Sequence, residues 1–179
     1  LDFLGISAAD DKKKIEGNRI NISIYQKELK VDEEAAKLPI TLEAPLKNSI
    51  WSNKGKNNYA APENLFINKN IKFLWKKDIG DGSGSYNKIF AQPVGNKDFL
   101  FVLDSEGKIV CINIINGDIV WEKNIFPDEE SVNTNIDGGL ALYGNDLVAS
   151  TSYGEIIKLN SKDGTIQWKK NIIAPVQGA

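Results

Sequence analysis

The chain contains no histidine and no methionine, one cysteine (Cys111) and one arginine (Arg19). Without histidine it lacks the commonest general base and the commonest neutral metal ligand. One cysteine allows neither an internal disulfide nor a thiolate metal cluster. A formal net charge of −2 and a lone arginine give no basic field and no forked donors for nucleic acid. No apolar run approaches the ~20 residues of a membrane-spanning helix. The first residue is Leu1 rather than methionine, so a processed or cut N-terminus is expected, with any signal sequence upstream. What is present suits one ordinary domain: 179 residues, 41% of them apolar, enough to build a core.

The chain changes character along its length. Residues 1–47 read as an extended tail or linker: "ADDKKK" is a solvated charge run, and Ile20, Ile22 and Ile24 alternate as a short strand. Pro39 and Pro45 interrupt a stretch with room for at most one helical turn. Residues 48–87 read as a connector. From residue 88 onward, short β-rich runs alternate with turn residues: 99–104, 108–114, 118–124, then 138–144, 146–152, 155–161 and 165–171. Asp104–Gly107, Asn116-Gly117, Gly144-Asn145, Tyr153-Gly154 and Asp163-Gly164 supply the turns. No helical period occurs in 88–179.

These runs repeat. "NGDIVWEKNI" (116–125) returns as "DGTIQWKKNI" (163–172). At a shift of 47, nine of the nineteen positions from 107 to 125 are identical without a gap, too many for chance. Gly107 falls on Gly154, Gly117 on Gly164 and Trp121 on Trp168. An earlier echo, "FLWKKDI" (73–79), puts Trp75 46 residues before Trp121. An all-β period in the forties with a tryptophan closing each unit is the pattern of propeller blades. A single four-stranded meander cannot cover both of its faces, so neighbouring blades must stack, which explains strand 99–103 being apolar on both sides. The tryptophan of each outer strand is expected to wedge between blades, a side chain that hides ~150–250 Å² when buried. The expected fold is therefore an all-β propeller of four-stranded antiparallel blades: blade 1 over 88–127, blade 2 over 128–172, and the start of a third over 173–179.

Other stretches carry weaker signals. Asn133, Asn135, Asp137 and Gly138 imitate the opening of a calcium loop, but its twelfth place is Gly144 instead of glutamate, so the stretch reads as a turn. "GDGSGSY" (80–86) is glycine-rich but lacks the P-loop lysine and a following helix, and reads as a flexible crossing between blades. The acids of 127–130 read as a solvated loop. Cys111, aligned with Lys158 of the next repeat, reads as a small strand hydrophobe rather than a reactive thiol. Asn21-Ile22-Ser23 fits a glycosylation sequon by chance.

The repeat, Gly-x-Ile-x-x-Ile-Asn-x-x-x-Gly-x-Ile-x-Trp in its first copy, resembles the quinoprotein-type (PQQ-like) propeller repeat. In order along the chain, "KKKIEGNRI" (12–20), "WSNKGKN" (51–57), "LWKKDIG" (74–80), 91–113, 137–168 and "APVQGA" (174–179) resemble the BamB family of outer-membrane assembly lipoproteins in its alphaproteobacterial form. That resemblance implies a WD40-like eight-bladed ring, of which this chain supplies two blades, and a closing strand at about 71–79. It also implies a lipid-bearing cysteine just before Leu1 and a position on the periplasmic face of the outer membrane. The implied function is a non-enzymatic scaffold of the β-barrel assembly (BAM) complex. Its implied partners are the POTRA domains of BamA, other BAM subunits and nascent outer-membrane proteins. No cofactor, metal or nucleic acid is implied, and membrane contact would come only through the anchor. The family's BamA-docking stretch falls on Ala174, Val176, Gln177 and Gly178, where Gln177 stands in place of an arginine. Trp75, Gly107, Gly117, Trp121, Gly154, Gly164 and Trp168 fall on its structural repeat positions. Two alternatives stay open: a quinone-dependent dehydrogenase on the same propeller, whose vicinal cysteine pair is absent here, and a generic protein-binding propeller. A WD-type scaffold would carry Gly-His and Trp-Asp pairs, which this chain lacks.

Overall fold

A computed structural model of the protein describes residues 30–84, 88–125, 138–172 and 174–176. The chain divides into two compact units, Leu1–Thr41 and Leu42–Ala179. In the first, the described residues hold one 3-10 turn, Ala35–Lys37, with Asp32 Oδ1 accepting the N–H groups of Glu34 and Ala35 at 3.0 Å.

The second unit is built on two four-stranded antiparallel sheets, each a simple meander. The first contains β1 (Val94–Gly95), β2 (Phe99–Leu103), β3 (Lys108–Asn113) and β4 (Ile119–Asn124). The second contains β5 (Gly139–Tyr143), β6 (Asp146–Ser150), β7 (Glu155–Asn160) and β8 (Ile166–Asn171). This is the all-β, bladed architecture expected from the repeat. Three strands of the first sheet are visible as β-rich runs in the sequence; β1 is not, being too short at two residues to show any period.

The 47-residue shift is carried into hydrogen-bond geometry. Cys111 faces Trp121 across β3–β4, and Lys158 faces Trp168 across β7–β8. Both ladders slip at the same place, between Cys111 and Ile112 and between Lys158 and Leu159, a repeated β-bulge that strengthens the local twist. The turns also repeat: Gly117 N–H donates to Asn113 O and Gly164 N–H to Asn160 O, each at 2.9 Å. At the β2–β3 turn the Asp104 carboxylate accepts from Glu106 N at 2.9 Å and Lys108 N at 2.8 Å; the hydroxyl of Thr151 accepts from Glu155 N at 3.3 Å in the second sheet. Both polar side chains are buried, and these bonds offset their desolvation.

The sheets approach each other where β1 and β2 meet β5, whereas β4 and β8 do not touch. They are thus wedged, closest at their first strands, as blades around an axis must be. One core joins them: Phe101, Ile109 and Cys111 pack against Leu147, Ile157 and Leu159, all buried. A second cluster, Val102, Val110 and Ile112, lies on the opposite face of the first sheet under Trp75 and Ile79.

Residues 46–65 form a closed loop rather than a plain connector. Leu46 and Leu65 pair at its base, and Asn57 holds its tip by accepting from Tyr59 N at 3.0 Å and donating to Ala61 O at 3.0 Å. Trp51 exchanges both backbone bonds with Gly95 on β1 (2.7 and 2.8 Å), and Leu142 N on β5 donates to Ser52 O at 2.6 Å. The loop therefore clips the first strands of both sheets. Residues 71–79, expected as a closing strand, lie in no ladder. A strand needs a partner, and the resemblance places that partner in the last blade of a full ring, which these residues do not include.

Candidate functional site

The repeat residues converge on the joints between successive outer strands and the turns that follow them. Trp121 stands on β4 and reaches the β7–β8 turn. Its ring lies over Gly164, where an added Cβ would sit 2.7 Å from Trp121 Cε3, and its Nε1 donates to Ser161 O at 3.0 Å. Trp75 makes the same arrangement one unit earlier. It covers Gly117 with Cδ2 at 2.7 Å from the notional Cβ, and donates to Ile114 O at 2.9 Å. Both glycines have left-handed φ, +76° at Gly117 and +71° at Gly164. Glycine is therefore required twice over, for the backbone and for the ring above it. Trp168 occupies the equivalent place in the second sheet and is 44% exposed, with no third turn over it among the described residues.

The joint thus needs an indole N–H, a carbonyl 39 or 40 residues further on and a bare glycine 42 or 43 residues further on. It is a packing device, with the indole N–H bonded to the carbonyl of the turn it covers. Asp163, beside this turn, accepts Thr165 N at 2.9 Å, which holds its carboxyl below the ordinary carboxylate value. Gly107 and Gly154 shape the β2–β3 and β6–β7 turns, and their carbonyls accept from Ile125 N and Ile172 N at 2.9 Å.

The other candidates separate. Cys111 is fully buried and burial pushes its thiol up to about 12, so it is an inert core residue. At its start the glycine-rich segment is pinned: Ser105 Oγ donates to Asp81 O at 3.1 Å and Gly82 O at 2.8 Å, and Asp81 N donates to Asp104 Oδ2 at 3.3 Å. Of the docking stretch, Ala174 is exposed and Val176 half-buried, its N–H 3.3 Å from Thr151 O, while Gln177 and Gly178 lie outside the described residues. Asn21, Asn133, Asn135, Asp137 and the acids of 127–130 also lie outside them. Among the described residues no three His, Cys, Asp or Glu side chains gather as a metal site, and no helix is long and apolar enough to cross a membrane.

Sequence reasoning missed the Trp51 clip. The only signal was a fourth tryptophan standing outside the 47-residue register, in a stretch without strand alternation.

Stacked meanders joined by tryptophan-on-glycine contacts define a propeller of quinoprotein-type blades. The model of the family described as outer membrane protein assembly factor BamB matches residues 68–179. The chain belongs to that family. No curated protein matches it. Among solved structures it resembles a europium-containing methanol dehydrogenase at 18% identity and TM-score 0.53, over 69% of this chain and 23% of that one. It also resembles the quinohemoprotein alcohol dehydrogenase of Comamonas testosteroni, at 20% identity and TM-score 0.51, over 70% and 20%. BamB from Moraxella catarrhalis matches at 16% identity and TM-score 0.32, over 41% and 20%. These likenesses concern the fold, and the chain spans about a fifth of the length of each of these proteins.

Proposed function

We propose that the chain belongs to a non-enzymatic scaffold of the outer-membrane β-barrel assembly machinery. In this reading it is held at the periplasmic face of the outer membrane by a lipid anchor outside the residues described. The observation that carries the proposal is the family match over 68–179.

The joints support it. Trp75 and Trp121 have their rings on Gly117 and Gly164, so both are spent on joining blades. The dehydrogenases' vicinal cysteine pair has no counterpart, because Cys111 is the only cysteine. These features favour a scaffold over a quinone-dependent dehydrogenase on the same propeller. What the fold offers instead is a rigid frame presenting loops, which suits docking. The partners in this reading are the POTRA domains of BamA and other subunits of the complex, with Ala174, Val176, Gln177 and Gly178 as the contact segment. Nascent barrel strands are a further partner. Their capture at the outer edges is opposed by Lys123, Lys169 and Lys170, since lysine on an edge strand hinders pairing with a new strand. The loops are accordingly the better docking surface.

Deleting the gene tests the proposal. Outer-membrane β-barrel proteins should fall in abundance, and the full-length gene should restore them. Unchanged barrel content together with a lost alcohol- or sugar-oxidising activity would reverse the assignment.

A further inference from the structure

The two sheets carry different chemistry at equivalent places. On the face of the first sheet that meets the second, Phe99, Phe101, Ile109 and Cys111 surround Trp121, with the Phe101 and Trp121 ring centres 5.9 Å apart. Forty-seven residues on, the corresponding positions are Asp146, Val148, Ile156 and Lys158 around Trp168. They lie on the face turned away from the first sheet, because Leu147, Ala149, Ile157 and Leu159 alternate with them and fill the shared core. The phenylalanine pair has gone. In place of Phe99 and Cys111 stands an ion pair, Lys158 Nζ to Asp146 Oδ2 at 2.7 Å, with side-chain exposures of 25% and 36%.

The surroundings are polar too. A hollow of about 340 Å³ opens on this face between β5–β6 and the Trp51 loop, flanked by Asn53, Asn57, Tyr143 and Val148. Asn53 Nδ2 donates to Asn58 Oδ1 at 2.7 Å, while its own buried Oδ1 has no donor.

The occupant follows from the register. Twice in this structure an outer-strand tryptophan lies over the glycine of a turn 42 or 43 residues further on, so Trp168 calls for a further repeat of the same chain. That repeat cannot be a copy of the second sheet. The surface β5–β8 turns to the first joint is aliphatic, and an aliphatic surface laid over Lys158 and Asp146 would desolvate both charges without a hydrogen bond in return.

We propose that the far face of the second sheet is a polar seam, keyed by the Asp146–Lys158 pair and covered by a further repeat of this chain that meets it with hydrogen-bonding side chains. The seam gives this joint an identity the first joint lacks. Units that share nine of nineteen positions can stack out of order, a characteristic failure of repeat proteins, and a buried polar key restricts which unit fits. The inference rests on the repeat geometry and stands whether or not the scaffold reading holds.

The test uses the full-length protein with Asp146→Leu, Lys158→Met and the double variant, which keep volume while removing charge. Each single variant should raise the unfolding equilibrium constant by more than roughly tenfold, because it strands a covered charge. The double variant should remain less stable than the parent, because the polar groups facing it lose their partners. These losses should persist at about 1 M salt, where exposed pairs are screened. A double variant more stable than the parent would mean an aliphatic occupant and would overturn the proposal. Single losses under roughly twofold that vanish in salt would mean a solvated pair and would also overturn it. A separate measurement avoids the stability of the charge variants. Lys158→Cys, the residue the first sheet already holds at this position, should react with a maleimide at least about tenfold more slowly in the native than in the unfolded protein. Fast native labelling overturns the proposal, as does protection that disappears on dilution, which would assign the cover to a second copy.

Discussion

Gly164→Ala separates the backbone role of the joint glycine from its packing role. Alanine at φ +71° costs about 1–2 kcal/mol in the left-handed region. The added Cβ would also meet Trp121 Cε3 at 2.7 Å, Cδ2 at 2.9 Å and Cζ3 at 3.1 Å. The indole cannot yield without leaving the core beside Phe101 or breaking its 3.0 Å bond to Ser161 O. Overpacking of this kind costs about 1–3 kcal/mol, and the strained or lost hydrogen bond about 1 kcal/mol more. Gly144→Ala is the control: φ is +58°, yet nothing lies within 4 Å of its notional Cβ, so only the backbone cost of about 1–2 kcal/mol applies. The difference between the two variants should be about 2–4 kcal/mol. Denaturant unfolding of the full-length protein, followed by tryptophan fluorescence, reads it. In a Trp121→Ala background the extra cost of Gly164→Ala should shrink to that of Gly144→Ala, since neighbours that share a contact are not additive. Equal losses for the two glycines in the parent background would refute the joint.

The remaining expectations concern the core and the docking segment. The Cys111 thiol keeps its proton in the folded state up to about 12, whereas the unfolded thiol releases it near 9.0. The stability it contributes is therefore complete below that lower value and is lost as pH rises towards the higher one. Unfolding midpoints measured across this range should fall more steeply for the parent than for Cys111→Val, and native Cys111 should resist thiol reagents at neutral pH. Val176→Asp should weaken binding to the POTRA domains without lowering the melting temperature, read by pull-down beside a thermal melt. Unchanged binding with an unchanged melt would remove this segment from the interface, and lost binding with a collapsed melt would assign Val176 to the core.

What was legible in the sequence was whatever repeats. The strand runs, the turns at Gly117 and Gly164, and the equivalence of Trp121 and Trp168 all follow from one shift, because each unit repeats the same local demands. Less was legible where a feature depends on a contact between distant segments. Val94–Gly95 is a strand only because Phe101 and Leu100 pair with it, and two residues display no alternation. The Trp51 clip is held by backbone bonds, two to β1 and one to β5, which any residue with a free N–H and carbonyl can make. The ion pair of Asp146 and Lys158 needs the β6–β7 register before the two side chains can be seen to meet. The partner-binding residues were read from resemblance alone. Ala174 and Val176 have no repeat counterpart here to fix their surroundings.

Calorimetric titration of the full-length protein tests the central claim most directly. One titration uses the POTRA domains of BamA; the other uses pyrroloquinoline quinone with calcium. The scaffold account expects saturable, stoichiometric heat with the POTRA domains and none with the quinone. Stoichiometric quinone binding, with alcohol or sugar oxidation and no heat from the POTRA domains, would contradict it.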